Sequence, residues 1–237
     1  MTRYLIIGAS RGLGEVLHRT VPVVGDRCWL VSRSEPALRL ADGVTRTWIR
    51  ADLTERASAD VIAQAIEAEP LDVVIYNAGI WEDEAFSPDY RFEDVSDEED
   101  ARVLAVNLTT AIPVLKRLIP ALRRGVRPKI VLIGSVNGLP YVNAPEVAYN
   151  ASKFGLRGVA HALRTGLRRD RIAVTILNPG SFGVPRFVDG QLINATGGDA
   201  DACIPPQDLA TLVRAIVSLS NATVVRELDV MAMEDPW

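Results

Sequence analysis

Continuous apolar runs of strand length alternate along this chain with stretches of helical period, and few folds accept that pattern. "YLIIG" is a short apolar run closed by glycine, and helical spacing follows it through Leu17. "CWLVS" is the next run, "TRTWIRA" alternates as a strand does, and "SADVIAQAIEAE" is helical up to Pro70. "LDVVIYNAG" and "KIVLIGS" are apolar throughout, as strands covered on both faces are. Between them the spacing predicts a helix over about Glu98 to Arg123, kinked at Pro113, whose ring removes a helical hydrogen bond. A helix from near Tyr149 to about Arg169, the buried strand "IAVTILNPG", the proline-headed helix "PPQDLATLVRAIVSLS" and a last strand in "TVVRELDVMAM" complete the series. Strands alternating with helices predict an α/β fold, a doubly wound parallel sheet with helices on both faces. No linker, repeat or low-complexity tract interrupts residues 1–237, so a single domain is expected. The glycine-rich stretch from about Ser181 to Cys203 is expected to be an irregular loop of the lid or substrate-loop kind.

Composition narrows the function classes. Lys and Arg total 26 against 30 Asp and Glu, and the net charge of −4 speaks against a nucleic-acid or anionic-membrane partner. No apolar run approaches the ~20 residues that span a bilayer, and "MTRYLIIGAS" enters a glycine turn too early for a secretion signal. Cys28 and Cys203 lack metal or redox spacing, so both are expected as free thiols in a reducing, cytoplasmic setting. His18 and His161 fall in helical patterns and are expected as ordinary helix residues, with no metal site. Trp81 to Asp100 carries ten acids and one arginine, which reads as a solvated face.

Two local patterns carry chemistry. "GASRGLG" follows the first strand and opens the first helix. Its Gly8, Gly12 and Gly14 permit a tight turn and let backbone N–H groups and the helix N-terminus approach a pyrophosphate. The spacing is GxxxGxG rather than GxGxxG. The second pattern is a lysine. The chain has 23 arginines and three lysines, and Lys153 stands four residues after Tyr149 in "AYNASKFG". Helix positions i and i+4 share a face, so both side chains point to one place.

These motifs come in one order with "NAG" at Asn77 to Gly79, Ser135 in "IGSVNG" and "NPG" at Asn178 to Gly180. That order resembles the single-domain branch of the short-chain dehydrogenase/reductase family over essentially the whole chain. The resemblance implies a Rossmann-type sheet and hydride transfer between a nicotinamide cofactor and a carbonyl or alcohol. It makes Tyr149 the general acid/base, gives Ser135 the substrate carbonyl oxygen, and gives Asn107 a proton relay through water to Lys153. A free tyrosine, with a pKa of about 10, exchanges its proton too reluctantly at neutral pH. A nearby ammonium and the positive oxidised nicotinamide are expected to lower that value by about 2 to 3 units. Lysine does this as a compact charge that also bonds the nicotinamide ribose, where arginine's fork fits less well. The same resemblance puts Ser10, Arg11 and Leu13 with the three glycines at the cofactor, and Asp52 and Leu53 at the adenine. Asn77, Ala78 and Gly79 would line the adenosine ribose, and Pro179, Gly180 and Phe182 the nicotinamide. Two positions depart from the family pattern: Ile7 and Val184 stand where threonine is common, the latter near the carboxamide.

Cofactor choice is read at the end of the second strand. "CWLVSRS" ends on Ser32 and Arg33, with no acid there to bond a ribose 2′-hydroxyl; Glu35 lies two residues beyond Arg33. Arg33 can pair with a 2′-phosphate through a charge-assisted fork, and Arg11 can approach it from the other side, so NADP(H) is expected. Trp81, Phe86, Tyr141, Phe182 and Phe187 lie in segments that can reach the pocket and point weakly to an apolar small-molecule substrate. The helix from Tyr149 gathers Lys153, Arg157, His161, Arg164 and Arg168 in one stripe and is otherwise apolar or small. That surface is wider than one sheet covers, and with the resemblance it predicts a homodimer or homotetramer. Two other readings stay open: an NADP-binding regulator with little or no turnover, and a family member acting on a carbon–carbon double bond or a cofactor-retained epimerisation.

Overall fold

The computed structural model describes residues 1–140, 144–188, 191–195 and 202–235. Its strands are β1 (Arg3–Ile7), β2 (Arg27–Ser32), β3 (Thr45–Arg50), β4 (Val73–Tyr76), β5 (Lys129–Ile133), β6 (Ala173–Pro179), β7 (Val184–Val188), β8 (Gln191–Ala195) and β9 (Glu227–Val230). Its helices are α1 (Gly12–Thr20), α2 (Ser58–Ile66), α3 (Asp97–Leu104), α4 (Ala111–Arg123), α5 (Val147–Gly166) and α6 (Pro206–Ser218). Seven strands form one parallel sheet in the order β3-β2-β1-β4-β5-β6-β9. This is the doubly wound Rossmann-type arrangement that the alternation predicts. Strand order reverses between β1 and β4, and such a switch point opens a crevice at the carboxyl ends of the strands.

Alternation along the strands divides the core. On β1, Leu5 and Ile7 face Ile62 and Ile66 of α2, Leu115 and Leu118 of α4 and Leu156 of α5. Tyr4 and Ile6 face the other way, with Val16 and Leu17 of α1 and Leu209 and Val213 of α6. Each of these buried aliphatic side chains stabilises the fold by roughly 1.5–3 kcal/mol, which holds the crevice walls rigid.

Three expectations are corrected. The stretch after Ser181 is not wholly irregular: β7 and β8 pair antiparallel, with Val184 opposite Ala195 and Val188 opposite Gln191. Phe187 and Leu192 of this ribbon pack on the α1–α6 core, which explains why so short a pair forms. The long helix is likewise not simply kinked at Pro113. A π turn over Ala105–Thr109 separates α3 from α4, with Thr110 N–H bonded to the Ala105 carbonyl at 3.1 Å. Pro113 has no N–H for the Thr109 carbonyl and its ring crowds that carbonyl, so the wider turn sits just ahead of it. The whole stretch Asp97–Arg123 is 27 residues long, with a window of mean hydropathy 1.3. By length and composition it passes for a membrane span, against the expectation from the apolar runs. In the fold, Val103, Val114, Leu115, Leu118 and Leu122 of this stretch are buried.

Candidate active site

The loops after β1 and β4 meet at the switch point. Gly8 takes φ +81, and its carbonyl accepts from Asn77 Nδ2 at 3.0 Å. Gly14 packs against the same carbonyl: a Cβ there would stand 1.9 Å from Gly8 O. Arg11 is extended just before α1, and among the described residues no side chain caps that helix. Its first N–H groups are therefore free for an anion. Gly12 opens α1, Ser10 is half-buried and Leu13 is buried. Arg11 and Arg33 are both exposed. Ser32 is buried, and its hydroxyl donates to the Ser34 carbonyl at 2.7 Å. Burial pushes the Asp52 carboxyl up, but bonds from the Thr54 N–H and hydroxyl, at 2.9 and 2.8 Å, and the charge of Arg33 outweigh it and hold Asp52 below its usual range. Leu53, Ala78 and Pro179 are buried, whereas Gly180 and Phe182 are half-buried, and Phe182 bridges to Ile204.

Further along the crevice, α5 presents Tyr149 and Lys153 on one face, only 6% and 4% exposed. Lys153 Nζ lies 5.3 Å from the centre of the Tyr149 ring. Among the described residues its one bonded acceptor is the Ile133 carbonyl, 3.3 Å away at the end of β5. Beside it is the space left by Gly79, where a Cβ would come within 3.3 Å of Nζ and 3.8 Å of Asn107 Oδ1. Ser135, 6% exposed, follows β5 and caps the short turn Val136–Gly138 by accepting from Asn137 N–H at 3.2 Å. That turn packs on α5, which brings Ser135 to Tyr149. Asn107 is fully buried in the π turn. Its Oδ1 accepts from Ile80 N–H at 2.8 Å, and its Nδ2 donates to the Ile80 carbonyl at 2.8 Å and to Ser152 Oγ at 3.0 Å. Both ends of this amide are engaged in tying the loop after β4 to α5.

The chain's own groups raise Tyr149; the expected lowering rests on the nicotinamide charge as well as on Lys153. Burial pushes the Tyr149 hydroxyl up to about 12; Ser135 and Trp81 draw it down by hydrogen bonding, and the Glu146 and Glu82 carboxylates push it further up. Burial also lowers Lys153 to about 8. Burial thus disfavours both charged forms, the phenolate and the ammonium.

Of the aromatic residues, Trp81 stacks on Tyr149 with ring centres 5.2 Å apart, and Phe86 meets Trp81 edge-on at 5.7 Å. Phe187 lies under the Arg19 guanidinium at 4.0 Å, on α1. Tyr141 lies outside the described residues. The acidic segment contains a residue that sequence reasoning missed. Glu82 is 3% exposed and accepts from the N–H groups of Ala148 and Tyr149 at 3.0 and 3.1 Å. The signal was in α5: its N-cap is Glu146, which makes no side-chain cap bond, so the acceptor had to come from elsewhere.

An open parallel sheet with an uncapped glycine turn at its switch point is the architecture of dinucleotide-binding α/β proteins. The short chain dehydrogenase family model matches residues 3–189, and the chain belongs to that family of oxidoreductases. A 3-dehydrosphinganine reductase of Arabidopsis thaliana is 33% identical over 192 residues, which are 77% of this chain and 55% of the plant protein; the chain thus spans little more than half of that relative. The rhamnolipids biosynthesis 3-oxoacyl-(acyl-carrier-protein) reductase of Pseudomonas aeruginosa is 29% identical over 239 residues, covering 92% of this chain and 90% of that one. The Pseudomonas aeruginosa RhlG/NADP active-site complex superposes with a TM-score of 0.79 at 25% identity, covering 97% of this chain and 94% of that one.

Proposed function

We propose that this chain is an NADP(H)-dependent oxidoreductase that interconverts a carbonyl and an alcohol, acting as a single domain on a small-molecule substrate in the cytoplasm. The observation that carries this reading is Lys153. A buried ammonium has three N–H donors, and among the described residues one acceptor serves them, the Ile133 carbonyl, beside the gap at Gly79. Such a cation fits the hydroxyls of a ribose, on the same helix face as Tyr149. The free N–H groups of α1 fit a pyrophosphate, and Arg33 and Arg11 fit a 2′-phosphate. Asp52 and Leu53 would meet the adenine, Asn77, Ala78 and Gly79 its ribose, and Pro179, Gly180 and Phe182 the nicotinamide. The RhlG structure, solved with NADP, supports the same cofactor.

The bound nicotinamide would supply or accept the hydride. Tyr149 gives its hydroxyl proton to the substrate oxygen during reduction, and its raised pKa keeps that proton loaded at neutral pH. Ser135 donates to the same oxygen and orients it. Lys153 holds the ribose and favours the phenolate in the reverse direction. Asn107 fixes the loop that carries Gly79. Both named relatives are reductases, which supports carbonyl reduction over a purely regulatory role.

Pairing with a second copy, as homodimer or homotetramer, is supported by the α4–α5 face. Ile112 and Phe154 are 47% and 46% exposed there. A groove of about 220 Å³ lies between the helices, lined by Ile112, Leu115, Lys116, Ile119, Val159 and Leu163. The test of function is NADPH consumption against ketones, aldehydes, quinones and enones. Turnover of ketones or aldehydes is expected. Turnover confined to enones, or tight NADPH binding with none, would contradict the proposal.

A further inference from the structure

The start of α5 is closed by the acidic segment that its composition assigns to solvent. A helix leaves the N–H groups of its first residues without carbonyl partners. In α5 these belong to Val147, Ala148 and Tyr149, because Asn150 N–H already bonds the Glu146 carbonyl at 3.0 Å. Val147 donates to the Tyr90 hydroxyl at 3.4 Å, and Ala148 and Tyr149 both donate to Glu82 Oε1. In return Glu146 Oε1 accepts from Phe86 N–H at 3.2 Å. Loop and helix therefore hold each other from both sides. The second oxygen of Glu82, Oε2, is buried with no partner among the described residues. A carboxylate is stable there because two N–H bonds and the positive end of the α5 dipole compensate its lost hydration. The adjacent residue, Trp81, is the one stacked on the Tyr149 ring.

We propose that Glu82 is a positioning residue for Tyr149: it caps the helix that carries the tyrosine and fixes Trp81 against its ring. The proposal rests on the reading of Tyr149 as the proton donor. The charged and titratable groups at this junction are Glu82 and Tyr90 from the loop, Asp100 from α3, and Glu146 and Lys153 from α5. Glu82 and Glu146 both favour the protonated tyrosine, so removing the charge of Glu82 favours the phenolate.

Two variants separate the cap from the charge. Glu82→Gln keeps an oxygen for the two N–H groups and loses the charge. It should retain slow amide exchange at Ala148 and Tyr149, while the Tyr149 phenol, raised to about 12 in the unmutated protein, titrates about half a unit to one unit lower by phenolate absorbance, read as the difference from Tyr149→Phe. Glu82→Ala loses the cap. Its Ala148 and Tyr149 amides should exchange about tenfold faster or more, and kcat should fall about tenfold, with NADPH affinity within about twofold. Should Glu82→Ala not fold, Glu82→Asp, one methylene shorter, takes its place. Unchanged exchange in the shortened variant overturns the capping role, and an unmoved phenolate titration in Glu82→Gln overturns the action of its charge on Tyr149. Were the unmutated protein inactive on every carbonyl, the reading of Tyr149 would fail while amide exchange still judged Glu82.

Discussion

Two helix N-termini face this crevice, and they are finished in opposite ways. At α1 the residue before the helix is Arg11, no side chain among the described residues caps it, and glycines keep side chains clear of its N–H groups. At α5 every first-turn N–H is taken, by the Tyr90 hydroxyl and by Glu82. The same backbone feature thus serves two purposes. Left open, a helix N-terminus is a place for a ligand anion. Sealed by a buried carboxylate, it is an anchor, and the side chains of its first turns become fixed points. Tyr149 stands on the sealed helix, and the pyrophosphate is proposed for the open one.

The largest effect that can break this comparison is at Gly14. Any Cβ there meets the Gly8 carbonyl at 1.9 Å and Asn77 Nδ2 at 2.8 Å, so the open turn must shift. Gly14→Ala should weaken NADPH binding by about 100-fold, near 3 kcal/mol, read by fluorescence titration on a variant whose circular dichroism shows it folded. Affinity within threefold of the unmutated protein would mean that the turn is not the anion site. A smaller effect is expected at the strand end beside it. Arg33→Asp should lower kcat/KM with NADPH by about tenfold or more and change it much less with NADH. Equal values for the two cofactors in the unmutated protein would contradict the assignment. The smallest effect concerns Lys153, which stands between the two helix ends. Its pKa is lowered to about 8 by burial, so it is charged below that pH and neutral above it. In the reductive direction kcat/KM should be level from about pH 6 to 7.5 and fall through a one-proton limb near pH 8. A profile level to pH 9.5 would remove Lys153 from the site.

The open end was legible in the sequence because it is local: strand, glycine turn and helix follow one another in "YLIIGASRGLG". Tyr149 and Lys153 were legible for the same reason, since a four-residue spacing fixes a shared helix face. Ser135 was found through the family's motif order, at the carboxyl end of β5 and 14 residues before Tyr149. The sealed end was not legible. Glu82 is one acid among ten in its segment, and only the missing cap of α5 distinguishes it. The chain's own upward push on Tyr149 was not legible either, because burial and the Glu146 and Glu82 carboxylates come together only in space. The π turn escaped because Pro113 reads as a kink, whereas the chain absorbs its missing bond one turn earlier, where Asn107 then turns inward. The β7–β8 ribbon escaped because each strand is five residues long and is held by contacts to α1 and α6 rather than by a pattern of its own.

Tyr149 is proposed to handle the proton while the open end of α1 and Lys153 hold the cofactor. Tyr149→Phe removes one oxygen and leaves the helix cap, Lys153 and the glycine turn in place. Single-turnover reduction of the best carbonyl substrate should fall by about 100-fold or more, with NADPH affinity unchanged within about threefold. A variant that keeps more than about a tenth of the rate, a loss under 1.4 kcal/mol, would contradict the account.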